Sequence, residues 1–173
     1  MTEKLNIFAP MSTRTQYRSA GSEQIRELLR QLNQLKVLPF GYPNDLALRT
    51  GATLNAARET VKGRSANLAI VEHLVRDAEL ILGIRPSKPK PVDYSEWGIE
   101  QLVSEKLLPN AFADQVAEMI DVSPSTVYKI TTQGLRSQRI EQALRQLAGE
   151  NMELEMIHRL EAILEVAVEK SKA

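Results

Sequence analysis

Ala47-Leu48-Arg49-Thr50-Gly51-Ala52 and Ala117-Glu118-Met119-Ile120-Asp121-Val122 stand 70 positions apart and share one design, a small residue followed four places on by a turn residue. Two short helices that cross steeply need a small side chain at the crossing and a residue tolerant of left-handed backbone between them. Glycine meets the second demand at position 51, and aspartate tolerates it better than most at position 121. The same offset aligns Gln31/Gln101, Leu32/Leu102, Lys36/Lys106, Leu38-Pro39/Leu108-Pro109, Ile70/Ile140 and Leu74/Leu144. Coincidence at one fixed offset marks a duplicated module.

Working outward, the spacing of Ile25, Leu28, Leu29, Leu32 and Leu35 predicts a helix starting at Ser22 as N-cap. The run from Leu38 to Pro43 breaks it. Short helices are expected from Asn44 to Thr50 and from Thr53 to Lys62, and a longer one from Asn67 to Leu82. Residues 84–95 hold three prolines and read as an extended linker. The pattern then restarts, with helices expected around Trp97 to Leu107, Phe112 to Ile120, Ser125 to Thr132 and Ser137 to Leu147. Gly149 reads as a further break, followed by a last helix to about Glu169 whose stripe is Leu154, Ile157, Leu160, Leu164 and Ala167 or Val168. That stripe is expected to pack on its own module or to pair two chains.

The expected fold class is therefore all-α. It comprises an arm (1–21), a first module (22–83), a Pro-rich linker (84–95), a second module (96–149) and a C-terminal helix (150–173), each module being trihelical or four-helical. Net charge is zero, from 22 basic and 22 acidic residues, yet residues 1–95 carry +5 and residues 96–173 carry −5. A basic arm and linker around a helical module suit phosphate contact. No apolar run approaches the roughly 18 residues that cross a bilayer, and the N-terminus lacks the pattern of a signal peptide. A cytoplasmic protein that makes no membrane contact is expected. The chain has no cysteine, which removes disulfides, thiolate nucleophiles and Cys-type zinc sites.

Each copy holds a candidate helix-turn-helix. In the second, Ser123 caps, Pro124 occupies the first helical position, where its missing donor costs nothing, and Val127 and Ile130 point inward. In the first, Ala57 and Val61 take the inward places. Both copies resemble the helix-turn-helix of the lambda-repressor and Cro superfamily of phage-type transcriptional regulators, over about 22–83 and 96–149, and Val61-Lys62-Gly63-Arg64-Ser65-Ala66-Asn67-Leu68-Ala69-Ile70-Val71 is similar to the segment after the recognition helix in such repressors. Asp121 in place of the turn glycine, and small Ala57 and polar Thr60 in the first copy, depart from that pattern.

The resemblance implies that the second helix of each motif enters the major groove of double-stranded DNA. The base-reading residues are then Thr53, Asn55, Ala56, Arg58 and Glu59, with Lys62, Arg64, Ser65 and Asn67 at phosphates. Ser123, Ser125, Thr126, Tyr128 and Lys129 are their counterparts in the second copy, with Thr132, Arg136 and Ser137 at the backbone. Arg58 suits guanine and Asn55 adenine. Such a chain would be a repressor-like regulator acting as a pseudo-dimer, or as a homodimer through its last helix. An assembly or adaptor protein using the same helices for protein contacts is the alternative. No catalytic set, metal site or cofactor is expected: His73 and His158 stand alone, and Lys62-Gly63-Arg64-Ser65 lacks the glycine-rich loop that precedes a Walker lysine.

Overall fold

Residues 20–85, 99–104 and 106–172 are described by a computed structural model. The remainder of the arm, most of the linker and Trp97 lie outside the described residues. Within them the protein is all-helical: α1 (Ala20–Gln34), α2 (Tyr42–Thr50), α3 (Leu54–Val61), α4 (Leu68–Ile81), α5 (Ile99–Ser104), α6 (Phe112–Ile120), α7 (Pro124–Gln133) and α8 (Gln138–Ser171).

Backbone detail repeats at the offset of 70. Gly51 (φ 71°) and Asp121 (φ 55°) both adopt left-handed geometry in the tight turns, as do Lys36 (φ 53°) and Lys106 (φ 54°) ahead of them. Thr53 and Ser123 cap α3 and α7 by accepting the amides of Ala56 and Thr126, and Asn67 and Ser137 cap α4 and α8. Each of these caps satisfies an amide that would otherwise lack a partner in the first turn. Ala57 and Val127 are fully buried at matched positions, and so are Leu74 and Leu144.

Three expectations are corrected. Helix α1 is already formed at Ala20, so Ser22 is no N-cap; its Oγ accepts instead from Arg26 Nη1 at 3.2 Å. Helix α2 begins at Tyr42, because Pro43 sits in its first turn, where no amide is needed. The largest correction concerns Gly149, which lies inside a continuous 34-residue α8. A lone helical glycine costs only about 1 kcal/mol relative to alanine, no proline follows it, and Asn151 turns its side chain to the Leu107 carbonyl rather than capping a new helix. Position 153, where the first copy ends its helix with Gly83 (φ 74°), is a glutamate.

Two hydrophobic clusters result, and α8 belongs to both. Its first half supplies Ile140, Ala143, Leu144, Leu147, Ala148 and Met152 to the second cluster, with α5, α6 and α7. Its second half supplies Met156, Ile157, Leu160, Ile163, Leu164 and Ala167 to the first cluster, against α1 and α4. The apolar stripe expected to pack on its own module, or to pair two chains, is thus buried against the other copy. Its outer members Leu154 and Val168 are 51% and 38% exposed.

The join is also polar. Arg159 of α8 donates to Glu72 at 2.7 Å and to Glu79 at 2.5 Å, all three being nearly buried, and Lys170 donates to the Leu82 carbonyl at 2.8 Å. Within the first unit, Tyr42 and Arg49 of α2 both donate to Asp77 of α4. Burial pushes the Asp77 carboxyl up, but the hydrogen bonds from Arg49 and Tyr42 outweigh it and hold it below the usual carboxylate range.

Candidate nucleic-acid interface

The expected reading helix of the first copy, α3, buries Ala57, Thr60 and Val61. Thr60 is accommodated because its hydroxyl donates to the Ala56 carbonyl at 2.9 Å. The opposite face exposes Thr53, Asn55 and Arg58, with Lys62 exposed at the C-terminal end. Glu59 is half-buried and pairs with the exposed Arg64 at 3.6 Å. Ala56 packs against the core, so it offers a methyl group rather than a donor. Ser65 is half-buried. Thr53 and Asn67 spend their acceptor oxygens on helix caps. Arg58 and Lys62 therefore carry the uncommitted positive charge of this face.

Pairing elsewhere in the unit reinforces that charge. All seven carboxylates of residues 22–83 are ion-paired: Glu23 to Arg26, Glu27 to Arg30, Asp45 and Asp77 to Arg49, Glu59 to Arg64, and Glu72 and Glu79 to Arg159. Lys36, Arg58, Lys62 and Arg76 have no carboxylate partner among the described residues. A segment of nominal charge +1 thus presents four cations unpaired among the described residues, because Arg159 from a distant part of the chain neutralises two of its acids and Arg49 alone takes two more.

The second copy is organised differently. Ser123, Ser125 and Thr126 are exposed but joined through their hydroxyls at 3.1 and 2.8 Å. The Tyr128 ring tilts against Phe112 at 6.0 Å, and Thr132 donates to the Tyr128 carbonyl at 2.7 Å. Arg136, 87% exposed at its side chain, lies 3.6 Å from Glu141, and Ser137 caps α8. Lys129 alone among the expected readers here is a charged group without a partner among the described residues.

Sequence reading passed over the neighbouring helix. On α6 and its turn, Asp114, Glu118 and Asp121 are exposed at i, i+4 and i+7, one stripe with no cationic partner among the described residues. The matched positions of α2 are Asn44, Leu48 and Gly51, which carry no charge. The first helix of such a motif crosses the phosphate backbone, so three free carboxylates there oppose DNA. That stripe was legible from spacing alone. The role of Arg159 was not, since its partners lie 80 and 87 residues away.

Among the described residues no cluster of His, Asp or Glu could hold a metal, and no helix is long and apolar enough to cross a membrane. Comparisons with protein-family models, curated proteins and solved structures find no match for this chain.

Proposed function

We propose that the protein is a sequence-specific, double-stranded DNA-binding transcriptional regulator of repressor-like type, in which α2 and α3 form the working helix-turn-helix. The supporting observation is the outer face of α3: Asn55, Arg58 and Lys62 are exposed, and both cations lack a carboxylate partner among the described residues while every carboxylate of residues 22–83 is ion-paired, two of them by Arg159. Arg58 offers the two-pronged donor that guanine O6 and N7 accept, and Asn55 the paired donor and acceptor that adenine requires. Lys62 and Arg64 set register on phosphates. Bound over a promoter, such a module obstructs transcription by occupancy alone.

Titration of the full chain with a random-sequence duplex pool over a salt series tests this. Binding should weaken steeply as salt rises, because each neutralised phosphate releases condensed counterion. Lys62→Ala should lower affinity similarly for every duplex and flatten the salt slope by about one unit. Absence of salt-dependent binding sinks the proposal.

A specific observation favours a different role for the second copy. The Asp114, Glu118 and Asp121 stripe, with the α7 serine and threonine hydroxyls already hydrogen-bonded, fits contact with protein rather than phosphate.

A further inference from the structure

We infer that one chain reads a single contiguous block of DNA, because α8 holds the second copy where α7 cannot reach a duplex seated on α3. The inference rests on the proposed DNA reading and concerns the shape of its target. At about 100° per residue, Ile140, Leu144, Leu147 and Asn151 keep to one side of α8. Met156, Leu160, Ile163 and Ala167 keep to the side roughly half a turn round, so the two clusters lie on opposite sides of one helix. Asn151 confirms its side by donating to the Leu107 carbonyl at 2.9 Å.

The two units are also shifted along α8. Arg159 reaches Glu72 and Glu79, and Lys170 reaches Leu82, so α4 lies beside the second half of α8 and runs in the same direction. In the other unit the first half of α8 takes the place of α4. There Gln142 and Gly149, the counterparts of Glu72 and Glu79, stand 17 and 10 residues before Arg159. At about 1.5 Å per residue that is a shift of roughly 20 Å.

Two heads share a straight duplex in one of two ways. A two-fold pair needs its axis perpendicular to the duplex, with no shift along that axis. Here the half-turn is accompanied by a shift of about 20 Å, more than twice the roughly 8.5 Å depth of the major groove, so seating one head lifts the other clear. A direct repeat needs the rotation axis to coincide with the duplex axis. Here that axis runs between α4 and α8, through protein. Neither arrangement is open to a single chain, and the pseudo-dimer suggested by the duplicated sequence is set aside.

The cysteine-free chain allows a direct test. Spin labels at Leu48→Cys and Glu118→Cys, exposed counterparts outside both reading helices, should give one narrow distance distribution, unchanged by duplex. Selection from random-sequence duplexes of about 30 base pairs should return one block of specified bases, and Lys129→Ala should leave affinity for the selected duplex within about twofold. A broad distance distribution overturns the inference, as do two specified blocks at a fixed spacing or a large loss on Lys129→Ala. Absence of any salt-dependent binding removes the DNA reading beneath it, while the label distances still decide the geometry by themselves.

Discussion

Helix α4 and the first half of α8 are the same helix of the duplicated design, used in two ways. Both place an isoleucine and a leucine, Ile70 and Leu74 or Ile140 and Leu144, in the core of their own unit. They differ on the adjoining face. Val71 and Val75 are fully buried in α4, whereas their counterparts Glu141 and Arg145 face each other at 3.8 Å. Helix α4 thus has a second apolar face that its own unit cannot cover, and the second half of α8 covers it. Its counterpart has no such need and continues as helix. A duplicated scaffold becomes asymmetric through a few substitutions that decide which face wants a partner. The same holds for the tie between the second and fourth helices, where Tyr42, Arg49 and Asp77 of the first copy correspond to Phe112, Met119 and Leu147 of the second.

The comparison is most severely tested at Arg159. Arg159→Met leaves Glu72 and Glu79 buried without their cation, and breaking such a pair costs about 3 to 5 kcal/mol. Arg145→Met removes a longer contact to Glu141, which keeps Arg136 at 3.6 Å, and should cost less. Denaturant unfolding followed by residue-resolved hydrogen exchange should show the Arg159 loss in α1 and α4. Protection lost in α6 and α7 instead would break the claim that α8 completes the first unit.

Next in size is the division of labour on DNA. Arg58→Ala should cost about 1 to 3 kcal/mol of discrimination at one base position, read as a flattened preference there in a binding assay over all four bases. Lys129→Ala should leave every preference intact, and equal losses from the two variants would make the copies equivalent readers.

The turns differ by a smaller amount. A side chain in left-handed geometry costs roughly 1 to 2 kcal/mol, less for aspartate. Gly51→Ala should therefore lower Tm, while Asp121→Gly should raise it slightly. Opposite signs in thermal unfolding sharpen the comparison; equal signs contradict the matched backbone.

Acid should separate the copies most gently. The Asp77 carboxyl is held below its ordinary range, so its contribution is present above the unfolded value of about 3.9 and is lost as pH falls through the lower folded value. Below about pH 4, hydrogen exchange in α2 should accelerate relative to α6, whose counterpart contacts carry no charge. Arg49→Met, which imports the residue of the second copy and leaves only the Tyr42 hydrogen bond on Asp77, should shrink that difference.

Much of the fold was legible because its signals are local. Helical periodicity, the cap Ser123 and the turn residues Gly51 and Asp121 each act within four residues of chain, whereas Thr53, Asn67 and Ser137, expected at DNA, turn out to cap helices. Gly149 misled because a glycine stops a helix only where the backbone turns left-handed, and at 149 nothing in the packing requires that. The candidate interface was half legible. Asn55 and Arg58 follow from their positions in α3 and Lys62 from its place at the end of that helix, but whether a carboxylate quenches them depends on side chains brought together from distant segments.

The sequence by itself determined which segments are helical, the turns between the short helices and the repeat at offset 70, since propensity and turn geometry are decided among near neighbours. Only the tertiary structure decided where the last stripe goes, because Ile157, Leu160 and Leu164 are apolar wherever they pack and carry no address. The address lies in Val71 and Val75, which leave a face open, and in Glu72 and Glu79, which require a cation. Arg159 meets that requirement, and in doing so leaves the face around α3 positively charged and sets the two copies on opposite sides of one helix.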